Sequence, residues 1–165
     1  MDKMIIRPAT ELDAQGIIAI YNPYITDTTI TFEEEPVSAG EIQKRIGSVQ
    51  SYGLPWLCAE VNGGLAGYAY ATRWRERSAY RYTVESVIYL DRKFAGYGYG
   101  NQLYKTLIEE LQKTSIHVVM GVIALPNPAS VVLHEKLGFT KVAHFSEVGY
   151  KFGRWLDVGY WQLTF

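Results

Sequence analysis

Cysteine is all but missing from this chain. Among 165 residues only Cys58 carries a thiol, which excludes an internal disulfide framework and suits a reducing, cytoplasmic setting. Cys58 sits in the apolar run Trp56-Leu57-Cys58-Ala59, where a buried, inert thiol is expected rather than a nucleophile. Histidine is scarce as well: His117, His134 and His144 are widely spaced and form no metal-ligand signature, so no metal is expected. Charge of one sign is lacking, with 16 Lys and Arg against 17 Asp and Glu and no basic block. Nucleic-acid binding therefore has no electrostatic footing. No apolar run approaches the ~18 residues of a membrane-spanning helix, and the first residues carry no signal-peptide pattern. No membrane partner is expected.

What is there is ordinary globular material, 48% hydrophobic and 20% charged, with 13 Tyr and 4 Trp. A chain of this size suits one domain over residues 1–165. Met4-Ile5-Ile6-Arg7 reads as a short strand stopped by Pro8. Thr10 or Asp13 can cap a helix whose apolar face is Ile17, Ile20 and Tyr21, and Asn22-Pro23 should end it. Residues 25–32 read equally as extended or loop. Ser38–Ser51 is a second helix with Ile42, Ile46 and Val49 inward. Trp56–Val61 and Leu65–Trp74, joined by Asn62-Gly63-Gly64, make a hairpin. A basic, aromatic connector leads to a strand over residues 80–90. After a helix come a strand at His117–Ile123, a short helix at Ala129–Leu137 and strands near Phe139–Phe145, Val148–Phe152 and Val158–Phe165. The order implies an α+β (mixed α/β) fold around one central sheet.

The most informative stretch begins at Val84. An apolar strand runs into Ala95-Gly96-Tyr97-Gly98-Tyr99-Gly100, and Leu103, Leu107 and Leu111 then recur at helical spacing. Strand, glycine loop and helix suit an anion held by backbone N–H groups at a helix N-terminus. The spacing G-x-G-x-G lacks the dinucleotide fingerprint G-x-G-x-x-G, and Gly100 is followed by Asn101-Gln102 instead of the Lys-Ser/Thr of a phosphate-binding loop. From the residues alone, the loop is either an anion cradle or a plain turn. Glu85, between Val84 and Ser86, is by the same reading either a surface charge at a sheet edge or a functional carboxylate facing a cleft. His134, on the short helix, is by default a packed or exposed structural residue.

Two segments together resemble the GCN5-related N-acetyltransferase superfamily: the loop at residues 95–100, and Asn127-Pro128-Ala129-Ser130 followed by Leu133-His134 and Gly138-Phe139. Alanine stands at 95 where that superfamily prefers Arg or Gln, and His134 where it prefers Tyr. Ala79–Ser86, Tyr21–Ile25, Phe32–Pro36 and the tail Gly153–Leu163 are similar to its phosphinothricin and methionine sulfoximine acetyltransferase branch. The resemblance implies a mostly antiparallel sheet of about seven strands with about four helices on its two faces. It implies acetyl transfer from acetyl-CoA to the amine of a small amino-acid-like molecule, in a homodimer. Alternatives are a related acyltransferase for another small amine or a protein N-terminus, and a non-catalytic acyl-CoA sensor.

Such chemistry needs a neutral amine, a stabilised oxyanion and aligned reactants. The resemblance makes Glu85 the general base and gives His134 a catalytic role, as proton acceptor or as donor to the leaving thiolate. Val87, Ile88 and Tyr89 would pair with the pantetheine arm, with an oxyanion contact near Val87. The N–H groups of Ala95, Gly96, Tyr97, Gly98, Tyr99, Gly100 and Asn101 would hold the pyrophosphate, and Asn127 a pantetheine amide. Phe32, Tyr80 and Tyr82 would wall the acceptor, and Arg75 and Arg77, beside Arg73, would meet its anionic group. A solvated basic loop is the competing account of these arginines.

Overall fold

A computed structural model describes residues 2–165. Seven strands form one sheet: β1 (Met4–Pro8), β2 (Trp56–Val61), β3 (Gly64–Arg73), β4 (Thr83–Leu90), β5 (Val118–Leu125), β6 (Thr140–Lys151) and β7 (Arg154–Thr164). Their spatial order is β1-β2-β3-β4-β5-β7-β6. Every neighbouring pair is antiparallel except β4 and β5, which a helical crossover joins in parallel. The helices are α1 (Ala14–Asp27), α2 (Ala39–Ser51), α3 (Tyr99–Gln112) and α4 (Pro128–Lys136).

Alternation along β4 sorts the helices between the two faces. Tyr89 packs edge-on against Tyr21 of α1, while Ser86 meets Tyr104 of α3 on the other side. The α1–α2 face is floored by aromatic rings, with Trp56 stacked on Tyr70 at 3.9 Å between centroids. Across the sheet, Leu103, Leu107 and Leu111 are fully buried and fasten α3. Each contributes roughly 1.5–3 kcal/mol of apolar burial.

Several boundaries differ from the sequence reading. α1 does not stop at Asn22-Pro23 but continues to Asp27 with Pro23 inside it. The ring costs one backbone hydrogen bond, yet Ile25 beyond it is fully buried, and Asn22 turns its side chain to the Val37 N–H and C=O. Residues 25–27 are therefore helical. The strand expected from Tyr80 begins only at Thr83, after a 3-10 turn at Ser78–Tyr80. The two strands expected at residues 139–152 are one, β6, bent by an irregularity between Phe145 and Gly149. Phe152 and Gly153, at φ +54° and +73°, close a tight hairpin, so β7 starts at Arg154 instead of Val158.

Candidate active site

β4 and β5 pair over only four residues each, Thr83–Ser86 with Val118–Gly121. Beyond Ser86 and Gly121 they diverge: Val87–Leu90 stay with β3, and Val122–Leu125 with β7. The gap opens into a cavity of about 270 Å³. Glu85, Val87, Ile88, Tyr89, Phe32, Asn127 and His134 all line it, so residues separated by a hundred positions converge there.

Glu85 is half-buried and has no hydrogen-bond or ion-pair partner among the described residues. Burial raises its pKa above the usual carboxylate value, and only the more distant charge of Arg75 opposes this. Such a carboxylate takes up a proton more readily than a solvated one.

His134 is 4% exposed and held at both nitrogens. Nδ1 faces the Ser130 carbonyl at 2.7 Å, and a carbonyl only accepts, so the proton is on Nδ1. Nε2 is then an acceptor, and Tyr104 Oη donates to it at 2.9 Å. Tyr104 Oη lies 2.5 Å from Ser86 Oγ, which also reaches the Met120 carbonyl. Burial lowers the His134 pKa, against the Ser130 carbonyl, and the ring is neutral. The Cδ2–Nε2 edge of the imidazole abuts Gly121, where a methyl group would overlap it.

The glycine loop stands at the other end of β4. From Glu85 to Leu90 the strand covers about 17 Å, at ~3.3 Å per residue. Gly96 and Gly98 have φ of +86° and +81°, and a Cβ at either would meet open space. Gly98 is the N-cap of α3 and offers no side-chain cap, leaving the N–H groups of the first turn free for an anion. Ala95 departs from the expected cradle: its N–H is already given to the Arg92 carbonyl at 3.1 Å. Tyr99 is also turned inward, its hydroxyl bonded to the Asp2 carbonyl. Asn127 caps α4 by accepting from the Ser130 N–H, which leaves its amide nitrogen free beside the cleft.

The acceptor residues divide. Phe32 lines the cavity, whereas Arg75, Arg77, Tyr80 and Tyr82 do not. They stand on the β3–β4 connection, where Arg75 stacks on Trp74, Tyr80 meets Trp74 edge-on and Arg81 covers Tyr82. In this chain alone they are exposed, and Arg75 reaches the site through its effect on Glu85.

Tyr104, Ser86 and Gly121 were not anticipated, although each left a signal. Tyr104 is a hydroxyl within the apolar face of α3, Ser86 a polar residue at an inward strand position, and Gly121 a glycine inside a strand. A strand glycine often marks close approach of another group.

Residues 6–159 match the acetyltransferase (GNAT) domain family. The chain is 42% identical to a phosphinothricin N-acetyltransferase of Streptomyces viridochromogenes, over 97% of this chain and 87% of that protein. It is 38% identical to an L-methionine sulfoximine/L-methionine sulfone acetyltransferase of Salmonella typhimurium, over 97% and 94%. A Salmonella typhimurium acetyltransferase structure, determined with its cofactor acetyl-CoA, superposes with a TM-score of 0.95 at 37% identity, covering 98% of this chain and 94% of the other. Fold, cleft and kinship agree: the chain belongs to the GNAT acetyltransferase family, in its phosphinothricin and methionine sulfoximine branch.

Proposed function

We propose that this protein transfers the acetyl group of acetyl-CoA to the amine of a small amino-acid-like acceptor such as phosphinothricin or methionine sulfoximine. The observation that carries the reading is the unpartnered, proton-avid Glu85 in the opening between β4 and β5, within one cavity of His134 and Phe32. The names of the related enzymes support the acceptor class.

The residues fit acetyl-CoA. The left-handed glycines at 96 and 98 let the backbone approach a pyrophosphate, and the unpaired edge of Val87–Tyr89 offers N–H and C=O groups to an extended amide arm. Bound there, acetyl-CoA supplies the activated acyl group. Gly96 to Asn101 would hold the phosphates, with Ala95 contributing no N–H, and the Asn127 amide nitrogen would meet the arm. Glu85 takes the proton from the ammonium, directly or through water, so that the neutral amine can attack. The neutral His134 gives its Nδ1–H to the Ser130 carbonyl, and its Nε2 is occupied by Tyr104. It has no spare lone pair for the amine and no free proton for the thiolate, so it acts with Tyr104 as a positioning group in the cleft. Arg75 and Arg77 would meet the acceptor's anionic group from the rim.

The reading carries a homodimer and a cytoplasmic setting. Val148, Tyr150, Phe152 and Trp155 are each more than half exposed on the β6–β7 hairpin, and β6 is an edge strand able to meet a second copy across a two-fold axis. Sedimentation should give twice the chain mass. No helix among the described residues is long and apolar enough to cross a membrane.

Thiol release from acetyl-CoA with a panel of amino-acid analogues tests the function. Turnover restricted to small anionic amines is expected. Acetylation of peptide N-termini instead, or CoA binding without turnover on any amine, would replace this reading with another acyltransferase or with a sensor.

A further inference from the structure

Thr31 and Phe32 wall one side of the cleft, yet neither belongs to a helix or strand. Such a segment keeps its shape only through contacts with its neighbours. Here they come from two directions. On the α1 side, Tyr21 Oη lies 2.8 Å from Thr31 Oγ1 and donates to Glu33, whose two oxygens Arg45 grips at 2.6 and 3.0 Å. On the β6 side, Lys151 Nζ donates to the Thr31 carbonyl at 2.7 Å, across 120 residues of sequence. Gly149, two residues before it on the same face of β6, receives the Phe32 ring, and a methyl group there would overlap the ring.

Lys151 is the unexpected member. It is 2% exposed, and among the described residues no carboxylate lies within 4 Å of its nitrogen. Burying an ammonium without a paired carboxylate costs several kcal/mol. If this position served packing alone, a methionine or leucine would do it without that cost. Glu33 and Glu34 lend the ammonium a more distant field, its nitrogen lies 5.1 Å from the centre of the Phe152 ring, and burial pulls its pKa down.

We propose that Lys151 is a positioning residue for the acceptor: from the β6–β7 hairpin it holds the Thr31 carbonyl and thereby sets the Ile30–Phe32 wall against which the amine substrate lies. This rests on the reading that the acceptor enters beside Phe32. The hairpin is thus tied to the acceptor half of the site and independent of the glycine loop.

Lys151→Met keeps the length and apolar stem and removes the donors. It should raise the acceptor KM about tenfold through misplacement of the wall, with acetyl-CoA KM changed by less than about twofold. Amide hydrogen exchange should quicken at residues 29–33 and stay unaltered in α3. Gly149→Ala displaces Phe32 without touching the charge and should give the same KM split, which keeps the test available if the first variant fails to fold. An unchanged acceptor KM, or acceptor and acetyl-CoA KM rising together, overturns the inference. If the unaltered protein acetylates no amine, the proposed acceptor class falls. Exchange then decides alone: acceleration confined to residues 29–33 supports the hold of Lys151 on the Ile30–Phe32 wall, and its absence overturns it.

Discussion

Tyr104 donates its hydroxyl proton to Nε2 of His134 at 2.9 Å, and both groups are buried where β4 and β5 part. The contact couples α3, the helix that follows the glycine loop, to α4, the helix that follows β5. It also fits the neutral Nδ1–H tautomer, in which Nδ1–H donates to the Ser130 carbonyl and Nε2 accepts.

Tyr104→Phe should therefore release the ring without opening a cavity. Ser86 Oγ can turn its proton to the Met120 carbonyl, so the stability loss should stay near 1–2 kcal/mol. A fall of about tenfold or more in kcat, with acetyl-CoA KM unchanged, is expected if the hydroxyl supplies or orients a proton. Steady-state kinetics with both substrates varied, beside a urea melt, checks this; full activity would leave Tyr104 a packing residue.

Glu85→Gln should lower kcat by about 10²–10⁴. The wild-type rate should fall as pH drops through the raised carboxyl pKa, and the variant should lose that limb. Stability runs the other way. A carboxyl whose folded-state pKa lies above its unfolded value binds more protons when folded, so its contribution declines as pH rises through that window. Glu85→Gln should then melt higher than wild type at pH 7 while being slower. A lower melting temperature with unchanged kcat would remove Glu85 from the chemistry.

Gly98→Val addresses the loop. At φ +81° an L-residue is strained by roughly 1–2 kcal/mol, and a β-branched one more. The side chain would also project into the open space before α3. CoA binding, followed by calorimetry, should be lost while the acceptor side of the cleft, reported by exchange at residues 29–33, is unaltered. Intact affinity would mean that the loop is a turn only.

Gly121→Ala should drive a methyl group into the His134 ring. The expected result is loss of most activity, with the imidazole resonances shifted in NMR spectra. An unshifted imidazole with normal kcat would show that the close packing is dispensable.

The helices with a single clean stripe were legible from periodicity because burial alone dictates them: Leu103, Leu107 and Leu111 in α3, and Ile42, Ile46 and Val49 in α2. Pro23 misled, because local backbone preference was outweighed by burial of Ile25 two residues further on. The break after Phe152 was legible but its tightness was not, because Phe152 adopts a left-handed conformation that its side chain does not advertise, and β7 starts at Arg154. In the site, Glu85, His134 and Asn127 emerged from motif and position, and they share one cavity. Lys151 and Thr31 escaped because their meeting depends on how a long hairpin folds back over a loop, which no spacing along the chain encodes.

The short β4–β5 pairing has a mechanical consequence. With only four residues on each strand joining them, the sheet is two stiff panels, β1–β4 and β5–β7, held along a narrow seam. Any extended molecule that fills the gap supplies the missing rungs and clamps the panels together. Loading the site should thus act as a splint, slowing exchange in strands on both sides of the seam, including those that never touch the ligand.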